Sequence, residues 1–592
     1  MNRVRRAAAG LLLLALAVVL PGCVSVPTAG RVERIDGQQQ SCQNCVNVEV
    51  APPSPGDDPR QVVEGFLRAN AYYQPSYRVA REYLTRESGQ SWKPEAGVTV
   101  YEATTAVEGD VVSLRGTVVG RIDEDRSYAT DDAELRQTFT LVRQDGEWRI
   151  DKPPAGLLVA SWAFALNYAS YDLYFLANGR PSDQPGAVQS PVLVPDPIYL
   201  PKLRSQYGVA SALVKALLNG PTGWLEPAVS TAIPPGTSLS VDSVTITDGI
   251  ASVPLSDTVL TLPDAQRSLL AAQIVYTLKD ALAVRGVAIT VNQQGFRVPE
   301  SDPATLVVPT TAISSQLDPV SPNAGNQLYV VRDGEVELAD ATSGDLRPFG
   351  GDLGTDPVGS IGVSVTDTDL AAVTAGGTRL VEATTAGAGT KARTVLSGVS
   401  GLLRPQFTRF GELWTVGEKD GRQRLWRVVD GARAVEAPEL EGRDITAFSF
   451  SPDGVRVAFV EQTTRGERLL VARVDRGDSD DVEVTGVRVL DTRRSQSQEL
   501  VRFADVDWLD ATHLLVLGAA TAKGAPGPYS VSEDASTITD QGEALAWDPV
   551  EVAVLLRTQS AIVLSRNGQT WRDTGSTWTP FVKGVDAVAY PG

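Results

Sequence analysis

From about residue 318 to residue 592 the chain repeats itself every 40–45 residues, and that period limits what this part can fold into. Four stretches show the unit: Pro405–Val416, Phe448–Val460, Asp505–Leu517 and Ala544–Leu555. Each carries an apolar anchor, a polar turn and then a strand. Aligning Val365, Phe407, Phe450, Trp508, Trp547 and Tyr590 gives steps of 42, 43, 58, 39 and 43 residues. That is the length of a propeller blade, a small sheet that cannot bury its faces alone. The long step holds Arg476-Gly-Asp-Ser-Asp-Asp481 and Arg493-Arg-Ser-Gln-Ser-Gln498, which read as loop insertions. One period before Val365 lies Asn323, just ahead of Leu328–Val331 and Val336–Leu338. Five or six blades fit, and six are expected. Val585–Tyr590 would return to pair with the first strands, closing the ring so that no long sheet edge stays open.

The other strong constraint is at the N-terminus. Residues 1–23 read MNRVRRAAAGLLLLALAVVLPGC. Three arginines precede the apolar run Ala7–Leu20, and a small residue, Gly22, precedes Cys23. This is an export pattern, and the run is short for a membrane-spanning helix. Leu20-Pro21-Gly22-Cys23 resembles the bacterial lipobox, with Pro21 the less usual residue. That resemblance implies lipidation of the Cys23 thiol and cleavage before it. Two or more acyl chains anchor stably where one is marginal. Residues 1–22 are expected to be the signal peptide and 23–57 a flexible tether rich in Gln, Pro, Gly, Ser and Asp. The expected location is the outer face of the cytoplasmic membrane.

Charge and residue usage narrow the function classes. The net charge is −19, and loss of the three leader arginines leaves −22. Such a chain repels phosphate backbones and anionic lipid surfaces, so nucleic acid is not an expected partner. The sole histidine is His513, and the cysteines are Cys23, Cys42 and Cys45. Cys42 and Cys45 read as a disulfide or idle thiols, with redox and zinc roles as alternatives. His513 opens a strand and reads as a residue satisfied by a neighbour. Asp478–Asp481 reads as a solvated loop, not a calcium site. No phosphate loop, zinc-protease helix or nucleophile elbow is present; Gly398-Val-Ser-Gly-Leu402 fails the elbow pattern at its last residue. A carboxylate pair of glycosidase type cannot be read out of 72 acidic residues. The expectation is a binding protein, not an enzyme, without cofactor or metal.

Two domains are expected between tether and repeat. In residues 58–157, Asp58-Pro59 caps a helix whose Val62, Val63, Phe66 and Leu67 share one face. A second helix is expected at about 77–85. Thr138–Arg143 and Trp148–Ile150 flank Asp145-Gly146, a hairpin signal. Helices followed by a curled sheet resemble the cystatin-like, nuclear-transport-factor type of α+β roll. In residues 170–302, strands at Tyr171–Leu176 and Pro191–Pro195, helices at about 208–219 and 263–283, and a hairpin over Asp242–Asp257 are expected. The segments Leu217–Pro221, Thr231–Pro234, Asp248–Ile250 and Gln273–Leu278 resemble the α/β GerMN domain, which implies wall or protein binding. Gln273 and Tyr276 read as half-packed helix residues, with surface contact as the alternative. Ser451-Pro-Asp-Gly454 is similar to turns of TolB-like propeller repeats.

Lipobox, α+β roll, GerMN-like domain and β-propeller (318–592) occur here in one order. That order resembles the LpqB family of actinobacterial lipoproteins. The resemblance implies a partner, the extracytoplasmic domain of the sensor histidine kinase MtrB in the MtrA–MtrB system governing envelope and division. Peptidoglycan is the alternative partner, and no contact residue is implied.

Overall fold

The computed structural model describes residues 50–592 apart from 110, 204, 386–390, 478–480, 493–499, 543–547 and 576. Trp547, most of Asp478–Asp481 and the 493–498 insertion therefore lie outside the described residues. So do the leader and the tether up to residue 49.

The roll starts with α1 (Pro59–Ala71), set by a capping box. The Gln61 amide N–H donates to the Asp58 side chain at 2.9 Å, and the Asp58 N–H donates to Gln61 Oε1 at 2.9 Å. Val62, Val63, Phe66 and Ala69 fall on one face and are fully buried. They pack on a curled sheet of order β5-β4-β2-β1-β6, with a short strand β3 beside β2. These strands are β1 (Val98–Glu108), β2 (Val111–Ile122), β3 (Tyr128–Thr130), β4 (Glu134–Gln144), β5 (Glu147–Ile150) and β6 (Leu157–Ala160). The β4–β5 hairpin turns through Asp145 and Gly146, both at positive φ, as a two-residue type I′ turn requires. The expected second helix is split into a 3-10 turn, Pro75–Tyr77, and α2 (Arg78–Glu82); α3 (Arg86–Ser91) follows. A last short helix, α4 (Ser161–Asn167), leads out of β6.

The next domain pairs β7 (Tyr168–Ala177) with β8 (Leu193–Pro201) and β9 (Val229–Ser230). Its second sheet runs from β10 (Thr245–Thr247) through β11 (Ile250–Leu255) to β12 (Gly286–Val291). Strands β11 and β12 are parallel, so they need a crossover. The helix α6 (Asp264–Leu282) supplies it and packs against α5 (Gln206–Asn219) and β7. Every residue from Leu270 to Leu278 is buried, as for a helix enclosed on all sides. This corrects the reading of Gln273 and Tyr276. Neither is a surface contact or half-packed: Gln273 is 0% and Tyr276 3% exposed. Gln273 Nε2 donates to the Tyr174 carbonyl at 2.8 Å, and its Oε1 accepts the Ala232 N–H at 2.8 Å.

The repeat is a closed propeller of six four-stranded blades. Blades 2 to 6 each start with the innermost strand: Val358–Val363, Gln406–Phe407, Asp444–Phe450, Arg502–Trp508 and Pro549–Leu555. Blade 1 has Leu328–Arg332, Glu335–Ala339 and Leu346–Pro348, and takes its inner strand, Ala587–Ala589, from the chain's end. Tyr329 pairs with Ala589 and Val331 with Ala587. The aligned anchors Phe407, Phe450 and Trp508 close their inner strands, while Val365 and Tyr590 follow just after theirs.

Candidate functional site: a docking seam and an axial ring of polar contacts

The GerMN-like domain sits on one face of the propeller, against turns between blade strands and the outer strand of blade 4. Ser182 N donates to Phe410 O at 2.8 Å, and Val188 N donates to Arg409 O at 2.8 Å, in blade 3. Trp224 Nε1 donates to Gly486 O at 2.8 Å in blade 4. Tyr199 OH donates to Asp534 Oδ2 at 2.7 Å in blade 5. Val455 of blade 4 is buried within the GerMN-like domain's own apolar core. The roll is fixed as well. Arg126 O accepts the Tyr199 N–H at 2.9 Å, Asp125 accepts the Gly223 N–H at 2.9 Å, and Thr130 lies against Val489 and Asp491.

Two buried ion clusters lie in this face. In the first, Arg456 is fully buried and donates to Asp453 Oδ2 at 2.6 Å, to the Pro195 carbonyl at 3.1 Å and to Glu533. Its Nε has no partner. Asp196, the residue after Pro195, is buried and accepts the Thr222 N–H at 2.7 Å and its hydroxyl at 2.9 Å. Three carboxylates thus surround one guanidinium. Burial pushes Glu533 up to about 8 against the pull of Arg456, and pushes Asp196 up to about 6.

The second cluster has the opposite balance. Glu412 accepts from Arg476 Nη2 at 2.6 Å, Arg427 Nε at 2.9 Å, the Thr408 hydroxyl at 2.9 Å and Trp414 Nε1 at 3.1 Å. Burial alone would raise this acid. The two guanidinium groups and the hydroxyl outweigh it and bring Glu412 down to about 2. Arg476 also covers the Phe410 ring at 4.0 Å.

The inner strands begin at the other face, around a small cavity of about 170 Å³ lined by Leu403, Arg404, Phe448, Asp505 and Glu551 among others. Each inner strand is a sheet edge with N–H groups to satisfy. Side chains of the preceding blade do this. Gln406 accepts from Phe450 N at 3.0 Å, Asp505 from Val552 N at 2.9 Å, Asp507 from Val554 N at 2.8 Å and Glu551 from Val588 N at 3.2 Å. Arg404 lies 3.2 Å from Asp505 and 3.3 Å from Glu551. Burial raises Asp505, Asp507 and Glu551, the last to about 7. These groups lace the blades together, and the Ser449 hydroxyl donates to Asp507 Oδ1 at 2.7 Å within the same ring.

Of the sites expected from sequence, Leu20, Pro21, Gly22, Cys23, Cys42 and Cys45 lie outside the described residues. His513 does have a neighbour: Nδ1 is 3.2 Å from Asp510 Oδ1, which also accepts the His513 N–H at 2.8 Å. Among the described residues no group of three or more His, Cys, Asp or Glu could hold a metal ion. None of the described helices is long and apolar enough to cross a membrane. Sequence reading missed Arg456, Glu533, Asp196, Glu412 and Arg404. The alternation Asp505-Val-Asp507 in a strand was the one signal that could have pointed to the ring.

A roll and a GerMN-type domain docked on a six-bladed propeller define a class of multidomain envelope-type architectures. Family models agree domain by domain: "Lipoprotein LpqB, N-terminal domain" matches residues 52–165, "Sporulation and spore germination" 172–295, and "Lipoprotein LpqB beta-propeller domain" 337–591. A Lipoprotein LpqB of Cutibacterium acnes is 31% identical, with 98% of each chain covered. One of Streptomyces avermitilis is 29% identical, with 97% of each covered. The chain belongs to the LpqB lipoprotein family. TolB from Acinetobacter baumannii superposes with a TM-score of 0.34 at 14% identity, over 53% of this chain and 85% of that one.

Proposed function

We propose that this chain is an exported lipoprotein, held by acyl groups on Cys23 at the outer face of the cytoplasmic membrane. There it modulates the MtrA–MtrB two-component system by contacting the extracytoplasmic domain of the sensor kinase MtrB. It binds and does not catalyse. The lipobox and the family membership support the anchor, and the family resemblance alone suggests the kinase. The observation that carries the binding role is the seam. The hydrogen bonds of Arg456 to the Pro195 carbonyl, Tyr199 to Asp534 and Trp224 to Gly486, with apolar cores shared across the joints, join three domains into one compact unit, which offers a partner a preorganised surface at small entropic cost. Confinement to one membrane face raises the effective concentration, so a modest interface suffices. Modulation requires that one kinase state be bound better than another.

Kinase autophosphorylation in reconstituted membranes, with and without this protein, tests the reading. A changed output that tracks binding of the ectodomain is expected; unchanged output with no binding rejects it. A peptidoglycan-binding scaffold is the second reading, favoured by the match of residues 172–295 to the spore-germination domain. Co-sedimentation of the chain with purified peptidoglycan discriminates the two.

A further inference from the structure

The helix α4 (Ser161–Asn167, SWAFALN) carries no charged residue, although it lies on the surface. Its inner side is accounted for: Ala163 is buried, and the Phe164 ring packs 5.8 Å from Tyr128, 5.0 Å from Tyr168 and 5.7 Å from Tyr199. Its outer side is Trp162, Ala165 and Leu166, where a surface helix ordinarily shows polar residues. Trp162 is 60% exposed and Leu166 50%.

The surroundings are unusual for so acidic a chain. Residues 159–171 contain no charge, and residues 197–209 contain only Lys202 and Arg204. The β7–β8 ladder sets these two segments side by side, pairing Tyr168 with Pro201 and Ala169 with Leu200. Lys202 Nζ donates to the Leu166 carbonyl at 2.8 Å. Tyr207, 49% exposed, lies five residues further on. Glu102, whose Oε1 accepts from the Ser161 hydroxyl at 3.1 Å, is an acid at the start of the helix. Exposed Trp, Leu and Tyr with a basic flank is the chemistry of a membrane–water interface bearing anionic lipid.

We infer that the outer face of α4, with Lys202 beside it, rests on the bilayer surface. The inference depends on the lipid-anchor reading above. The tether argues for lipid as the occupant. Residues 24–49 separate Cys23 from the described chain, and a flexible segment of that length spans about 28 Å on average. The chain enters at the roll: Val50 packs on its core, Tyr83 OH donates to Ala51 O at 2.9 Å, and Gly56 N donates to Glu147 at 2.9 Å. The roll is thus the domain held within roughly one domain diameter of the membrane, where a weakly binding face suffices.

The test holds the chain on vesicles of phosphatidylglycerol and phosphatidylethanolamine. Residues 24–592, with an N-terminal histidine tag, are captured by nickel-chelating lipid and carry bromine-labelled acyl chains beneath them. Quenching of tryptophan fluorescence is expected in the parent and lost in Trp162→Ala. Without the chelating lipid, binding to the same vesicles should fall about tenfold in the Trp162→Ala, Leu166→Ala double variant. Both side chains are exposed, so thermal melting should not move. No quenching in the parent, or equal quenching in both, overturns the inference. So does a double variant that keeps lipid contact and instead loses the kinase ectodomain. The chelating lipid supplies the tether whatever happens at Cys23. Failure here therefore rejects the face and not the anchor, which fractionation of a Cys23→Ala variant tests separately.

Discussion

The two buried ion clusters of the docking face use the same kinds of side chain at the same depth, yet their electrostatics are opposite. Glu412 is one carboxylate between two guanidinium groups and is held at about 2. Arg456 is one guanidinium among Asp453, Glu533 and Asp196, and burial leaves Glu533 at about 8. The first cluster gains from its charge, while the second is short of positive charge and gains from a proton. A buried ion pair is therefore not one kind of contact. Its sign with pH depends on which partner is in excess.

The largest effect expected is from Arg456→Met. It keeps volume and leaves Asp453 and Glu533 without their hydrogen-bonded cation, at a cost of about 4 kcal/mol in urea unfolding. The loss should be greater at pH 8 than at pH 5, because at pH 5 Glu533 can hold its proton. A pH-independent loss would break the comparison. Glu412→Gln comes next, at roughly 3 kcal/mol, because Arg476 and Arg427 lose their counter-charge while Thr408 and Trp414 keep an acceptor.

The pH profile of stability sharpens the contrast. Glu412 is lowered from 4.5 to about 2, so its contribution is present above pH 4.5 and is lost as pH falls toward 2. Glu533 is raised from 4.5 to about 8, so its contribution is present below pH 4.5 and fades as pH rises through 8. Asp196, at about 6, acts on the same limb. The two limbs oppose each other, and Glu533→Gln should flatten the alkaline one. Relative to the parent it should be more stable at pH 8 and unchanged near pH 4. Equal slopes between pH 5 and 8 in parent and variant would reject the assignment.

The propeller was legible because its period is set locally. Four short strands and their turns occupy about 40–45 residues wherever they occur, and Phe407, Phe450 and Trp508 mark the same strand end in three blades. The roll helix was legible in its cap and its apolar face. The seam was not. Tyr199 and Asp534 are 335 residues apart, and Arg456 reads as one more polar position in Val455-Arg-Val-Ala458. Gln273 was misjudged for a related reason. A glutamine on a helix normally faces water, and only the backbone of β7 and of the segment around Ala232 makes its burial sensible.

Tyr199 provides the smallest and most local test, because it belongs to both sides of the joint. Its ring is buried in the roll's aromatic core, 5.3 Å from Tyr128, while its hydroxyl donates to Asp534 in blade 5. Tyr199→Phe keeps the ring and removes only the donor. Asp534 retains bonds from the Ser532 hydroxyl at 2.7 Å and the Ser536 N–H at 2.9 Å, so the loss should be about 1 kcal/mol. Glu533 lies next to Asp534 and shares the acid excess, so the loss should grow from pH 5 to pH 8 as that side of the seam ionises. Urea unfolding at the two pH values measures it. Should Tyr199→Phe cost several kcal/mol at both, the joint would depend on that single bond, and the acid-rich cluster would not set its strength.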